Sequence, residues 1–132
     1  MTMKRSTLVS VVLASAIAFT LSAADSGNVT VTHKGWISDA DCAPSKVSSG
    51  KLGPNGRDCV QKCLAKGVKM VFIDETAGAL YEVENPEAAR GQESHYIQVA
   101  GTVNAANKTL HVSSLKVLQE YVASCAVPKK GE

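Results

Sequence analysis

The sequence predicts a mainly β, α+β domain: five antiparallel strands rolled into a small barrel, with one short helix inserted after the first strand and another between the third and fourth. Three observations carry this expectation. Five segments concentrate or alternate β-branched and apolar residues, and each is bounded by Gly, Asn, Asp or Pro. One segment between the first two strands carries helix-start and helix-stop residues. An open sheet in so short a chain would leave apolar faces and strand edges bare, so closure is expected.

The first strand is VTVTHKGWIS, residues 29–38. Val29, Val31, His33 and Gly35 fall on one face, and Thr30, Thr32, Lys34 and Trp36 on the other. APSKVSSGKLGPNGR, residues 43–57, has no period and many breakers, and reads as a loop. The inserted helix follows. Asp58 is placed to cap it, Gln61 three residues on completes a box-like pattern, and Gly67 stands where a left-handed stop is wanted. Val60, Leu64 and Gly67 centre its apolar stripe, with Cys63 at the edge and Cys59 further round.

VKMVFID, residues 68–74, is a strand with hydrophobes on both faces. ETAG turns the chain into ALYEVE, residues 79–84. NPEAARGQ, residues 85–92, opens on Asn-Pro and suits one or two helical turns. HYIQVAGTV, residues 95–103, and KTLHVSSLKVL, residues 108–118, flank NAAN and form a long hairpin. This order of five strands, with a helix between the third and fourth, matches an OB-like barrel carrying an extra helix after strand one. An open α+β sheet with both helices on one side is the alternative.

Ahead of this domain, Lys4 and Arg5 precede an uncharged apolar run from Leu8 to Leu21, and then Ser22-Ala23-Ala24. A basic start, a short apolar run and a small-residue site make residues 1–24 a secretory signal peptide, cut after Ala24 or Ala23. The run is shorter than the ~20 apolar residues of a spanning helix, so no stable membrane insertion is expected after cleavage. The expected location is the periplasm or the exterior of a bacterium. Residues 25–118 then form a single OB-like domain, and 119–132 a C-terminal tail.

Removing Lys4 and Arg5 from the chain's 14 Lys and Arg leaves the same number as its 12 Asp and Glu. A neutral domain has no electrostatic footprint for a polyanion, so nucleic acid is not an expected partner. A small ligand or a protein is, and the domain is expected to be a monomer.

All four cysteines, Cys42, Cys59, Cys63 and Cys125, lie in the exported part. Haem attachment needs C-x-x-C-H and a thioredoxin-type pair needs C-x-x-C, whereas here the spacing is C-x-x-x-C followed by Leu64. In an oxidising compartment an even count in a small domain reads first as disulfides. Neighbouring side chains on a helix diverge from the Cβ separation of ~3.8 Å that a bridge requires, so Cys59 and Cys63 are not expected to pair with each other. Cys42 is expected to pair with Cys63, with Cys59 either paired to Cys125 or free; the swapped pairing, Cys42 with Cys59 and Cys63 with Cys125, stays open. A bridge closing a loop of about 20 residues stabilises by about 3 kcal/mol in the chain-entropy picture.

The metal alternative uses the same residues. Cysteines at i and i+4 project the same way, so Cys42, Cys59 and Cys63 can supply three thiolates, with Asp39, Asp41, His33 or Cys125 as the fourth ligand. A thiol-redox alternative makes Cys59, in the first helical turn, a reactive nucleophile. Asp39 and Asp41 otherwise read as turn-forming side chains at a strand end. Trp36 reads as core or rim packing rather than a stacking platform, and His111 as solvated. Glu82, Glu84, Glu87 and Glu93 read as a solvated acidic edge. No Ser-His-Asp or Cys-His grouping emerges, so no catalytic residue and no cofactor are expected.

GWISDADC, DCVQKCLAKGVKMVFID, GALYEVEN and VAGTVNAANKTLHVSSLKVL together resemble a family of small exported bacterial OB-fold-like proteins of unknown function. The shared pattern is W-[IV]-S-D-x-x-C, then C-x-x-x-C followed by Gly and a strand, then G-T-V and H-V-x-x-[IL], over residues 34–118. The resemblance implies Cys42, Cys59 and Cys63 as the family cysteines and Trp36, Ser38 and Asp39 as its strand signature. Family members often carry Gly and a nearby His after the first cysteine. Here Ala43 and Pro44 follow, and no His lies between Cys42 and Cys59. The expected function is thus a non-enzymatic, disulfide-stabilised binding or structural module, with metal binding or thiol redox chemistry as alternatives.

Overall fold

The computed structural model describes residues 27–123; residues 1–26, on which the expected signal peptide falls, and residues 124–132, with Cys125, lie outside the described residues. Five strands form the body: β1 (Asn28–Asp39), β2 (Met70–Asp74), β3 (Ala79–Val83), β4 (Tyr96–Asn104) and β5 (Thr109–Gln119). Each lies within about two residues of its expected bounds, because a two-residue period over a half-buried surface is a strong signal. Two short helices, α1 (Ala43–Ser48) and α2 (Arg57–Ala65), sit between β1 and β2, and a 3₁₀ turn, Pro86–Ala88, precedes β4.

The strands join in the order β1-β2-β3-β5-β4 and the sheet closes on itself in a ring. The ring is mixed, which corrects the all-antiparallel expectation. β3 and β5 run parallel, through Glu82↔Thr109 and Val83↔Leu110. The β2–β3 and β4–β5 hairpins must be antiparallel, but β3 and β5 are separated by the whole of β4, which frees their relative direction. Asn85 lengthens this short seam. Its side-chain amide donates to the Val112 carbonyl and its oxygen accepts the Val112 N–H, each at 2.8 Å. The amide thus stands in for one more residue of strand.

Inside the ring, Ile37, Phe72, Tyr81, Val83, Ile97, Val99, Val103, Leu110 and Val112 pack into one core. β1 and β4 pair over nine residues, which makes this the longest antiparallel register with β1. At Gly35 a Cβ would lie 1.9 Å from the Ile73 carbonyl oxygen, and at Gly101 one would lie 2.2 Å from that of His111. Only glycine lets the strands approach so closely.

A second apolar cluster lies outside the ring. Val71 and Ile73, on the outer face of β2, are covered by Ala43 and Val47 of α1, with Trp36, Leu52 and Leu80 around them. Residues 43–48 are therefore helical, not loop. All five residues of β2 are buried, as two hydrophobic faces require. Glu93 is also a correction: it is only 4 % exposed and accepts the Gly91 N–H, so it is no part of a solvated edge.

Candidate metal centre

The site is built where β1 leaves the sheet. Asp39, the last residue of β1, is fully buried. Its Oδ1 accepts the N–H groups of Asp41 and Cys42, both at 3.0 Å, and so bends the chain into the start of α1. The turn role expected of Asp39 is real, but it occupies only one oxygen. Oδ2 is buried and has no hydrogen-bond partner among the described residues. An ionised carboxylate oxygen left unpaired out of water is costly, and such an atom calls for a cation or a donor.

α2 brings up the other ligands. Gly56 rather than Asp58 occupies its N-cap position, which places Asp58 in the first turn, where its charge favours the helix dipole. The stop is as expected. Gly67 takes φ +89°, its N–H donates to the Leu64 carbonyl, and the Val68 N–H reaches the Cys63 carbonyl. Val60 is buried on the inner side of α2, while Cys59 and Cys63 lie one turn apart facing the start of α1.

The sulfur atoms of Cys42, Cys59 and Cys63 all lie within 4.8 Å of one another, and Cys63 Sγ is equally close to carboxylate oxygens of Asp39 and Asp41. Cys42 Sγ and Cys59 Sγ are 3.8 Å apart. Among the described residues these three cysteines are free thiols. Burial, then the Cys59 hydrogen bond and the charge of Asp39, push the Cys42 thiol up to about 12. Cys63 is also raised, by burial first and then by Asp39. These two sulfurs hold their protons at neutral pH unless something positive replaces them.

The loop between the helices is tied to this cluster by Asn55. Its Oδ1 accepts the Ser38 hydroxyl at 2.7 Å, and its backbone carbonyl accepts the Ser94 hydroxyl at 2.8 Å. Its position within a Gly-Pro-Asn-Gly run signals a turn but not this role. His33 is not in the cluster. It meets the buried Asp74 at 2.5 Å, further back along β1. His111 is exposed, as expected, and His95 is buried, accepting the Tyr121 N–H on Nδ1. Compared with protein-family models, with curated proteins and with solved structures, the chain matches none.

Proposed function

We propose that this protein is a metal-binding module that holds one thiophilic ion, of which zinc fits best, on Cys42, Cys59 and Cys63, with Asp39 as fourth ligand. The observation that supports it is the convergence of three sulfurs beside an unpartnered buried carboxylate oxygen. Zinc–sulfur bonds of ~2.3 Å in a tetrahedron put neighbouring sulfurs about 3.8 Å apart. That is the separation of Cys42 and Cys59. A mixed thiolate and carboxylate set suits zinc; copper(I) would use the sulfurs alone. The strand order, with one parallel pair closing the ring, supports reading the fold as an OB-like barrel, in which the connection after the first strand is a usual binding element. The basic and apolar leader supports export to the periplasm.

A second reading is the staple. Cys42 faces two possible partners on α2, and Cys125 is available to the third cysteine. Metal analysis, thiol counting and native intact mass of the exported protein separate the two. The metal reading expects one zinc per chain and three thiols that alkylate only after chelation, with Cys42→Ser or Cys63→Ser losing the ion. A metal-free chain lighter by two hydrogens for each bridge overturns it in favour of the staple.

A further inference from the structure

A second site is a cavity of about 420 Å³ lined in part by Ser94, beside the Asn55 loop. Its floor is set by strand register. Trp36 on β1 pairs with Tyr96 on β4, which in turn pairs with Gln119 on β5. The β4–β5 register slips by one residue between Tyr96 and Ile97, so Gln119, not Leu118, stands opposite Tyr96. Bulges of this kind re-aim side chains beside binding sites. The Trp36 and Tyr96 rings lie 5.1 Å apart, tilted by 37°. Tyr121 supplies a third aromatic wall, and it is fixed there because its N–H donates to the buried His95 at 2.7 Å. Pro54, from the loop that carries Asn55, also lines the cavity.

Among the described residues the charged groups lining the cavity are both acids, Glu75 and Glu120. Glu75 is anchored by its backbone N–H to the Lys34 carbonyl and accepts the Tyr96 hydroxyl. That bond raises the Tyr96 phenol above its ordinary value, so the ring stays neutral. Lys34, two residues before Trp36, is not among the lining residues. A larger cavity of about 620 Å³ beside α2 carries charges of both signs, Lys69 and Arg90 with Glu82 and Glu84, and selects no ligand class.

From the three aromatic side chains, the two carboxylates and the absence of a basic side chain from the lining among the described residues, we infer that this cavity binds a small quaternary ammonium cation. Ring faces attract such a cation through their quadrupoles, and the carboxylates balance its charge without requiring a hydrogen-bond donor from the ligand. The volume falls within the usual range for small-molecule sites.

Trp36 is the one tryptophan in the chain, so its fluorescence reports the site directly. Titrating the full exported protein with choline should give saturable quenching, and the uncharged isostere 3,3-dimethylbutanol should give none. Glu75→Gln and Glu120→Gln, both at exposed positions, should each weaken choline roughly fivefold to tenfold while leaving the circular dichroism unchanged. Phosphatidylcholine vesicles run in parallel identify the source of the cation: co-sedimentation marks a lipid headgroup, and its absence a free cation, and both require choline to bind. Equal responses to choline and its isostere, saturable binding of a neutral disaccharide instead, or no choline binding at all overturn the inference. None of these results depends on zinc.

Discussion

Zinc binding should tighten at least about a hundredfold for each unit rise in pH across the neutral range. The perturbation is pH alone, applied to reduced, metal-free protein between about pH 6.5 and pH 7.5. Two of the three thiols set this lower bound, and displacement of a proton from Cys59 as well would only steepen it. Cys42 ionises only at about 12, and Cys63 is raised too, so both are protonated throughout this interval. An ion that binds thiolates must displace both protons, and each displaced proton contributes a factor of about ten in affinity per pH unit. The sign is fixed: higher pH removes the competitor and strengthens binding. Competition against a chromophoric chelator, corrected for the chelator's own titration, gives the slope. Calorimetry in two buffers of different ionisation enthalpy counts the protons released. A slope near zero, or release of fewer than one proton per ion, would show that Cys42 and Cys63 are not the ligands.

Other outcomes follow from the same structure. In metal-free protein Cys42 has a folded-state value of about 12 against 9.0 for an ordinary thiol, so its contribution to stability is complete below about 9 and disappears as pH rises through 12. Thermal unfolding of reduced, chelated protein should show this alkaline decline, and Cys42→Ser should lessen it. Asn85→Ala leaves the Val112 N–H and carbonyl without partners and should cost about 1–3 kcal/mol in urea unfolding; a change below the error of the fit would mean that water replaces the amide without loss. Gly35→Ala drives a Cβ into the Ile73 carbonyl and should destabilise more than Thr30→Ala on an exposed stretch of the same strand, as read by melting temperature. Leu110→Ala, deep in the ring, should cost about 2–5 kcal/mol.

Most strands were legible because they alternate against a core, as in β5, where Leu110 and Val112 are buried while Thr109 and His111 are not; β2 was legible as a bounded apolar run instead. α1 was not legible locally. Six residues beginning Ala-Pro hold too few backbone bonds to specify a helix by propensity. The clue lay elsewhere, in the two hydrophobic faces of β2, which demand a cover for Val71 and Ile73. The parallel β3–β5 pair was hidden because no local pattern reports which non-neighbouring strands meet. At the site, the i, i+4 spacing correctly brings Cys59 and Cys63 to one side, and Cys42 joins them. The divided role of Asp39, with one oxygen in a turn and the other unpartnered, depends on burial that only the folded chain defines.

The seam between β3 and β5 has a consequence for how the ring breathes. Two register pairs and one side-chain amide hold it, whereas β4 is bound along its length on both sides. The Glu82 and Glu84 amides, which donate to the Lys108 and Leu110 carbonyls, sit on that seam. Their hydrogens should exchange through a local opening that leaves the β1–β4–β5 sheet intact, while the Val99 amide waits for global unfolding. Isotope uptake would then divide one small domain into a slow half and a fast half. The fast half carries β3, and the slow half the β1–β4–β5 sheet.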